Sequence, residues 1–244
     1  MRLEFDIGNT NHKWRIVDDS GVLLRGHFAN HSDGLNGVPY QGVEEVWVAC
    51  VGSDTLLVRL IDWARDHNLP VQRALVTAES AGVVCAYAAP HRLGVDRWLA
   101  VLAAYHQYGA SCVIDIGSAM TVDVVDSDGQ HLGGYIVPGY QLLLNALLKD
   151  TDKVRWADSE VGDDVSLARD TGNAVVAGAK LMLVGFVEQV VKRLPIEPVQ
   201  IVFTGGGGEL LREACQQGAI QQGAIWHEDL VFEGLAWAYR ETLL

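Results

Sequence analysis

The sequence predicts an α/β fold built as two similar lobes. Strand-like apolar runs alternate with amphipathic helical stretches along all 244 residues. A hairpin that begins apolar-Asp-x-Gly occurs twice, near residues 1 and 112, which is the mark of an internal duplication. The composition, 49% hydrophobic and 20% charged, is enough to bury one large core or two compact lobes of about 100 to 150 residues each. The expected division is a first lobe over residues 1–111 and a second over 112–244.

The first copy opens with a strand over Leu3 to Asp6, a Gly-Asn-Thr turn, and a second strand over Lys13 to Val17 that ends at Asp18-Asp19-Ser20-Gly21. The second opens with Cys112 to Asp115, turns at Gly117, and continues over Thr121 to Val125 into Asp126-Ser127-Asp128-Gly129. Phe5-Asp6-Ile7-Gly8 answers Ile114-Asp115-Ile116-Gly117, with one residue of difference in loop length. Between the hairpins the pattern predicts a strand over Val46 to Val51, a helix over Thr55 to His67 with Leu56, Leu60 and Trp63 at helical spacing, a strand over Val71 to Val76, and a helix over Arg97 to Tyr108. The second half repeats the theme. Helices are expected over Leu142 to Leu148 and Asn173 to Arg193, then a strand over Val199 to Phe203, the run Gly205 to Gly208, and a helix from Glu209. Lys149 to Ser166, rich in Asp, is expected to be a surface connection.

Eighteen Lys and Arg stand against 31 Asp and Glu, a formal charge of −13, so the molecular field repels nucleic acid and anionic lipid. It also opposes an anionic nucleotide. A nucleotide site must therefore be built locally from backbone amides, a Lys or Arg, and a cation. Cys50, Cys85, Cys112 and Cys215 have no paired spacing and are expected as reduced thiols of a cytoplasmic protein. Acids near the N-terminus argue against a signal peptide, and no apolar run is expected to reach the roughly 18 residues of a membrane span. The eight His show no metal spacing, and no HExxH or nucleophile elbow is present. No Gly-Lys-Ser/Thr exists, and Leu210 prevents a Gly-x-Gly-x-x-Gly from Gly205, which excludes P-loop and Rossmann sites.

What remains is the pair of hairpins. A carboxylate at a strand end followed by a Gly turn sets backbone amides and a hydroxyl around an anion, while the acid holds a cation or its water. Asp6, Gly8, Asn9, Thr10 and Lys13 form one such set, with Lys13 able to reach phosphates as a point charge. Asp115, Gly117, Ser118, Thr121 and Asp123 form the other. A single Asp-x-Gly can also be no more than a strand ending in a turn; its occurrence twice favours the functional reading. Gly205 to Gly208 could lie flat against adenine or ribose, or could be a packing turn. Gly94-Val95-Asp96-Arg97 precedes an amphipathic helix. Asp96 could cap that helix, or accept the proton of an attacking alcohol with Arg97 stabilising charge in phosphoryl transfer. Tyr87 could line the same site or belong to the core, and Thr171 could be only a helix cap.

Together these residues resemble a known family. Asp6-Ile7-Gly8-Asn9-Thr10 with Lys13, Leu93-Gly94-Val95-Asp96-Arg97-Trp98, Asp115-Ile116-Gly117-Ser118-Ala119, Gly133-Gly134-Tyr135-Ile136-Val137-Pro138-Gly139 and Phe232-Glu233-Gly234-Leu235 are similar to the motifs of type III pantothenate kinases, which include the Bvg accessory factor proteins. The similarity spans nearly the whole chain, in order. It implies a duplicated actin-like fold, of the acetate and sugar kinase/heat-shock/actin class, working as a homodimer, and the reaction of ATP with pantothenate that opens coenzyme A biosynthesis. It further implies ATP held by Asp6, Gly8, Asn9, Thr10, Lys13 and Ser118, and pantothenate contacted by Tyr87, Gly94, Val95, Asp96, Arg97 and Thr171. Asp96 would be the catalytic base, Asp115 the ligand of potassium or ammonium, and Mg2+ would travel with ATP. Ser118 stands where the family usually has Thr, and Met120 where it often has Thr; Ser keeps the hydroxyl, whereas Met alters the turn. Two other classes share the hairpins, a noncatalytic actin-like nucleotide-binding regulator and an actin-like phosphatase. The former would not need Tyr87, Asp96 and Arg97 together, and the latter would need no alcohol site.

Overall fold

The computed structural model describes residues 1–29, 34–150, 166–194, 199–216, 220 and 223–240. They divide into two compact units. One comprises Met1–Gly109, Ser127–Gly133 and Asp229–Leu244, the other Ala110–Asp126 and Gly134–Glu228. In chain order the elements of the first unit begin with β1 (Arg2–Ile7), β2 (Asn11–Asp18), β3 (Gly21–Ala29), β4 (Glu45–Cys50), α1 (Asp54–Asp66) and β5 (Val71–Arg73). A short ladder of β6 (Glu79–Ser80) and β7 (Val83–Val84) and the helix α2 (Val95–Tyr108) follow. The chain continues through β8 (Ser111–Ile116), β9 (Ala119–Val125), β10 (His131–Pro138), α3 (Tyr140–Asp150), α4 (Thr171–Val191), β11 (Gln200–Thr204), α5 (Gly208–Gln216) and β12 (Ile225–Trp226), and closes on α6 (Leu230–Arg240).

The duplication is plain in the sheets. One has the order β3-β2-β1-β4-β5 and the other β10-β9-β8-β11-β12. In each, the first strand pairs antiparallel with the second and parallel with the fourth, which runs parallel to the fifth. The expected two-strand hairpins are thus the central part of three-strand meanders, because β3 and β10 continue the pairing. Most of β3 is exposed, and such a strand carries no inward apolar period to announce it. The strand expected over Val71 to Val76 stops at Arg73, where its pairing with β4 ends, and Leu75 is exposed. Of the expected surface connection, residues 151–165 lie outside the described residues.

Period-two alternation decides which face of each sheet is apolar. In the first unit Leu3, Phe5 and Ile7 join Ile16, Val46, Val48, Leu56, Leu60 and Ala64 in one core. The opposite face carries Glu4 and Arg15, buried and paired at 2.6 Å, with Arg2 on the other Glu4 oxygen and Arg15 also 3.2 Å from Asp229 at the start of α6. A buried carboxylate is tolerable only with such partners. The two residues sit under α6, where the Arg15 guanidinium lies 4.8 Å from the Phe232 ring centre. Helices α2 and α6 pack on each other and on this sheet. Gly234 permits their close approach, since a Cβ there would meet the Leu99 carbonyl oxygen at 2.1 Å.

In the second unit Cys112, Ile114 and Ile116 join Met120, Val122 and Val124 with Leu183, Val187 and Val190 of α4 and Leu211 and Cys215 of α5. Burial pushes the thiols of Cys112 and Cys215 up to about 12. Met120, the departure expected to disturb the turn, is fully buried in this core. Helix α4 corrects the expectation that no apolar run reaches membrane-spanning length. Its 21 residues have a mean hydropathy of 1.7 over the best window, yet Asp170 caps it and Leu183, Val187 and Val190 pack into the core.

Candidate active site

In the first unit the antiparallel register sets Asp6 directly opposite Lys13. Opposed side chains share a face, so the carboxylate and the ammonium flank the turn together, both half-buried, while Asn9 and Thr10 at its tip are exposed. Gly8 is clamped from behind. The backbone N–H groups of Val51 and Gly52, leading into α1, donate to the Ile7 carbonyl at 3.1 and 3.0 Å. A Cβ on Gly52 would strike the Gly8 carbonyl oxygen at 2.0 Å. The residue must be Gly for the two loops to lie this close.

The second unit repeats the device. Asp115, next to last in β8, pairs with Thr121, so no Lys answers Lys13 there. The backbone N–H of Gly207 donates to the Ile116 carbonyl at 3.1 Å, as Gly52 does to Ile7. Gly205, with φ of 80°, lies against the acid itself, and a Cβ there would fall 2.3 Å from Asp115 Oδ1 and 2.6 Å from the Ile116 carbonyl oxygen. The Gly-rich run is thus pressed on the end of β8 by backbone contact. Ser118 is half-buried, and its carbonyl accepts from Gly139 N–H at 3.0 Å at the head of α3. A Cβ on Gly139 would meet the Gly117 carbonyl oxygen at 2.4 Å. Both turns are therefore shaped by glycines distant in sequence.

The third set lies on the first unit. Gly94, with extended backbone, is the N-cap of α2 and supplies no side chain, so Asp96 is not the cap residue but stands in the first helical turn. Asp96 Oδ1 accepts the Arg97 N–H at 2.7 Å. Arg97 is 7% exposed, and its Nη1 donates to the Tyr87 hydroxyl at 3.2 Å, tying together two residues singled out separately in the sequence. The Val95 side chain is buried, which leaves its backbone as the part able to meet a ligand. Thr171, on the second unit, is exposed; the cap of α4 is Asp170, whose Oδ1 accepts from Asn173 N–H at 2.9 Å. Hydrogen bonds from Asn173 hold the Asp170 carboxyl below its usual value. The clamps of Gly52 and Gly139 went unread in the sequence, where only Gly205 to Gly208 offers itself as a packing turn; Gly52 and Gly207 each stand three residues after the strand partner of a hairpin acid, Ala49 opposite Asp6 and Thr204 opposite Asp115. Nothing local marks His131, which stacks on Tyr87.

Chemically, the first hairpin sets a lysine beside a carboxylate at a glycine turn, and the second sets a carboxylate among backbone groups. The α2 terminus presents a carboxylate beside a buried guanidinium. The model of one family, type III pantothenate kinase, matches residues 2–193. A type III pantothenate kinase of Pseudoalteromonas translucida is 33% identical over 241 residues, covering 98% of this chain and 96% of the relative. A second, from Pseudomonas putida, is 36% identical over 253 residues and covers 98% of each. Among solved structures, a conserved protein of Campylobacter jejuni assigned to the Baf family of transcriptional activators superposes with a TM-score of 0.61 at 22% identity, over 99% of this chain and 98% of that one.

Proposed function

From the premise that the chain belongs to the type III pantothenate kinase family and so is an ATP-dependent kinase of pantothenate, with the duplicated actin-like fold, we propose how its residues divide the work. Asp96 takes the proton of the primary hydroxyl of pantothenate as that oxygen bonds to the γ-phosphorus. The bond from the γ-phosphorus to the bridging oxygen breaks, ADP leaves, and 4'-phosphopantothenate is the product. Arg97 offsets charge on the transferred group, and Tyr87, Gly94, Val95 and Thr171 orient the acceptor. Asp6, Gly8, Asn9, Thr10, Lys13 and Ser118 hold ATP. The observation that carries this assignment is the Arg97–Tyr87 hydrogen bond at the α2 terminus that bears Asp96, since a packing helix alone has no use for a buried guanidinium beside a first-turn acid.

Mg2+ accompanies ATP. Among the described residues no three His, Cys, Asp or Glu stand together to ligate a metal, which suits an ion carried on phosphate oxygens. Asp115 fits a weakly bound monovalent cation, potassium or ammonium, because its carboxylate is set beside the Ile116 carbonyl by the side-chain-free Gly205. When bound, that cation offsets negative charge near the nucleotide.

The lobes 1–111 and 112–244 are retained as the units of duplication. A homodimer is supported by the stripe Gly178, Leu181, Met182 and Gly185 on α4, whose leucine and methionine are 54% and 62% exposed at helical spacing. A cytoplasmic location, without nucleic acid or membrane partners, fits the −13 charge.

The deciding experiment measures ADP formation with and without pantothenate, and 4'-phosphopantothenate by mass spectrometry, with Mg2+ and potassium supplied. Phosphate release that ignores pantothenate would favour the phosphatase reading and sink this one.

A further inference from the structure

His131 lies at the start of β10, in the Ser127–Gly133 segment that belongs to the first unit. It is 3% exposed, so it acts mainly on its protein neighbours. Its ring lies parallel to that of Tyr87, with centroids 6.3 Å apart and planes 12° apart, and it meets the fully buried Trp98 edge-on at 6.4 Å. Its Nδ1 accepts the backbone N–H of Ala86, the residue before Tyr87, at 3.5 Å. That role requires the ring proton on Nε2. The neighbouring backbone is held the same way. Val84 N–H donates to the Gly129 carbonyl at 2.9 Å, Val84 bridges Gln130, and Gly129 sits so close that a Cβ would strike the Gly82 carbonyl oxygen at 2.2 Å.

Tyr87 itself lies in irregular backbone, and no ladder fixes its position. Its ring is gripped by His131 on one side and its hydroxyl by Arg97 on the other. The geometry points to His131 as a positioning residue for the acceptor: it sets the Tyr87 ring and, through the Tyr87 hydroxyl, the guanidinium of Arg97. This rests on the reading of Tyr87 and Arg97 as pantothenate-facing residues.

His131→Asn keeps an acceptor near Nδ1 and removes the ring, whereas His131→Phe keeps the ring and removes the acceptor. Each is expected to raise KM for pantothenate about 3- to 10-fold, the worth of one modest contact, with KM for ATP within about 2-fold. Tyr87→Ala should raise the same KM, and adding His131→Phe to it should change little more, because both act through one ring. Folding of each variant is checked by circular dichroism and melting. If Tyr87→Ala raises KM for pantothenate but the folded His131 variants do not, the positioning role is overturned while the substrate assignment stands. If Tyr87→Ala leaves that KM unchanged, the assignment falls and this inference with it. Equal effects on both substrates, or failure of both His131 variants to fold, would make His131 a general structural residue and overturn the proposal.

Discussion

Gly205→Ala tests whether the Gly-rich run exists to seat Asp115. The new Cβ would lie 2.3 Å from Asp115 Oδ1 and 2.6 Å from the Ile116 carbonyl oxygen, where ordinary contact is about 3.4 Å. Either the carboxylate or the loop must move by about 1 Å. Ala at a φ of 80° costs about 1–2 kcal/mol, and overpacking about 1–3 kcal/mol more. Loss of unfolded-state freedom offsets about 0.4–1 kcal/mol of this. The net, about 1–5 kcal/mol, should lower the melting temperature by about 2–20 °C for a chain of this size. If Asp115 holds the cation as proposed, a shift of its carboxylate by about 1 Å should reduce kcat/KM for ATP by about 10- to 100-fold and raise the potassium concentration needed for half activity. The assay quantifies product directly by mass spectrometry, below the melting range, while potassium is titrated against sodium at constant ionic strength. A variant that melts lower yet keeps wild-type activity and potassium response would refute the seating argument. One unchanged in both respects would refute the contact itself.

Asp96→Asn keeps an oxygen for the Arg97 N–H and removes the carboxylate proposed as the base, so kcat should fall about 100-fold or more with melting unchanged; near-normal turnover would remove Asp96 from the mechanism. Gly234→Ala would put a Cβ 2.1 Å from the Leu99 carbonyl oxygen, and calorimetry should show a loss of about 1–3 kcal/mol while folded enzyme stays active. Burial holds the Cys112 and Cys215 thiols near 12 against an ordinary 9.0. They should resist a thiol reagent at pH 8 until the chain is unfolded. Because the folded-state value is the raised one, their contribution to stability is present below about pH 9 and is lost as pH rises from there toward 12, which melting temperatures across that range would record.

Both Asp-x-Gly turns were legible because everything that makes them is local: an alternating strand that ends in an acid, a glycine where the chain reverses, and a second alternating strand. The apolar spacing of α2 was legible too, but the helix starts at Val95 rather than Arg97, which puts Asp96 in its first turn. The caps were less legible. Asp96 and Thr171 have the residue types that cap helices, yet Gly94 and Asp170 occupy those positions, since a cap is defined by backbone angles rather than by composition.

Period and turn chemistry in the sequence by themselves determined the α/β class, the duplication, and which acids stand by the turns that follow β1 and β8. Tertiary structure alone decided that β3 and β10 extend the hairpins and that α6 belongs to the first unit through Asp229, Phe232 and Gly234. It alone set Gly52, Gly139, Gly205 and Gly207 against the turns and brought His131 to Tyr87, 44 residues away in sequence. The physical reason is that alternation and turns are written within a few neighbouring residues. The approach of one backbone to another depends on the space left between elements, and that space exists only once the sheets and helices have packed.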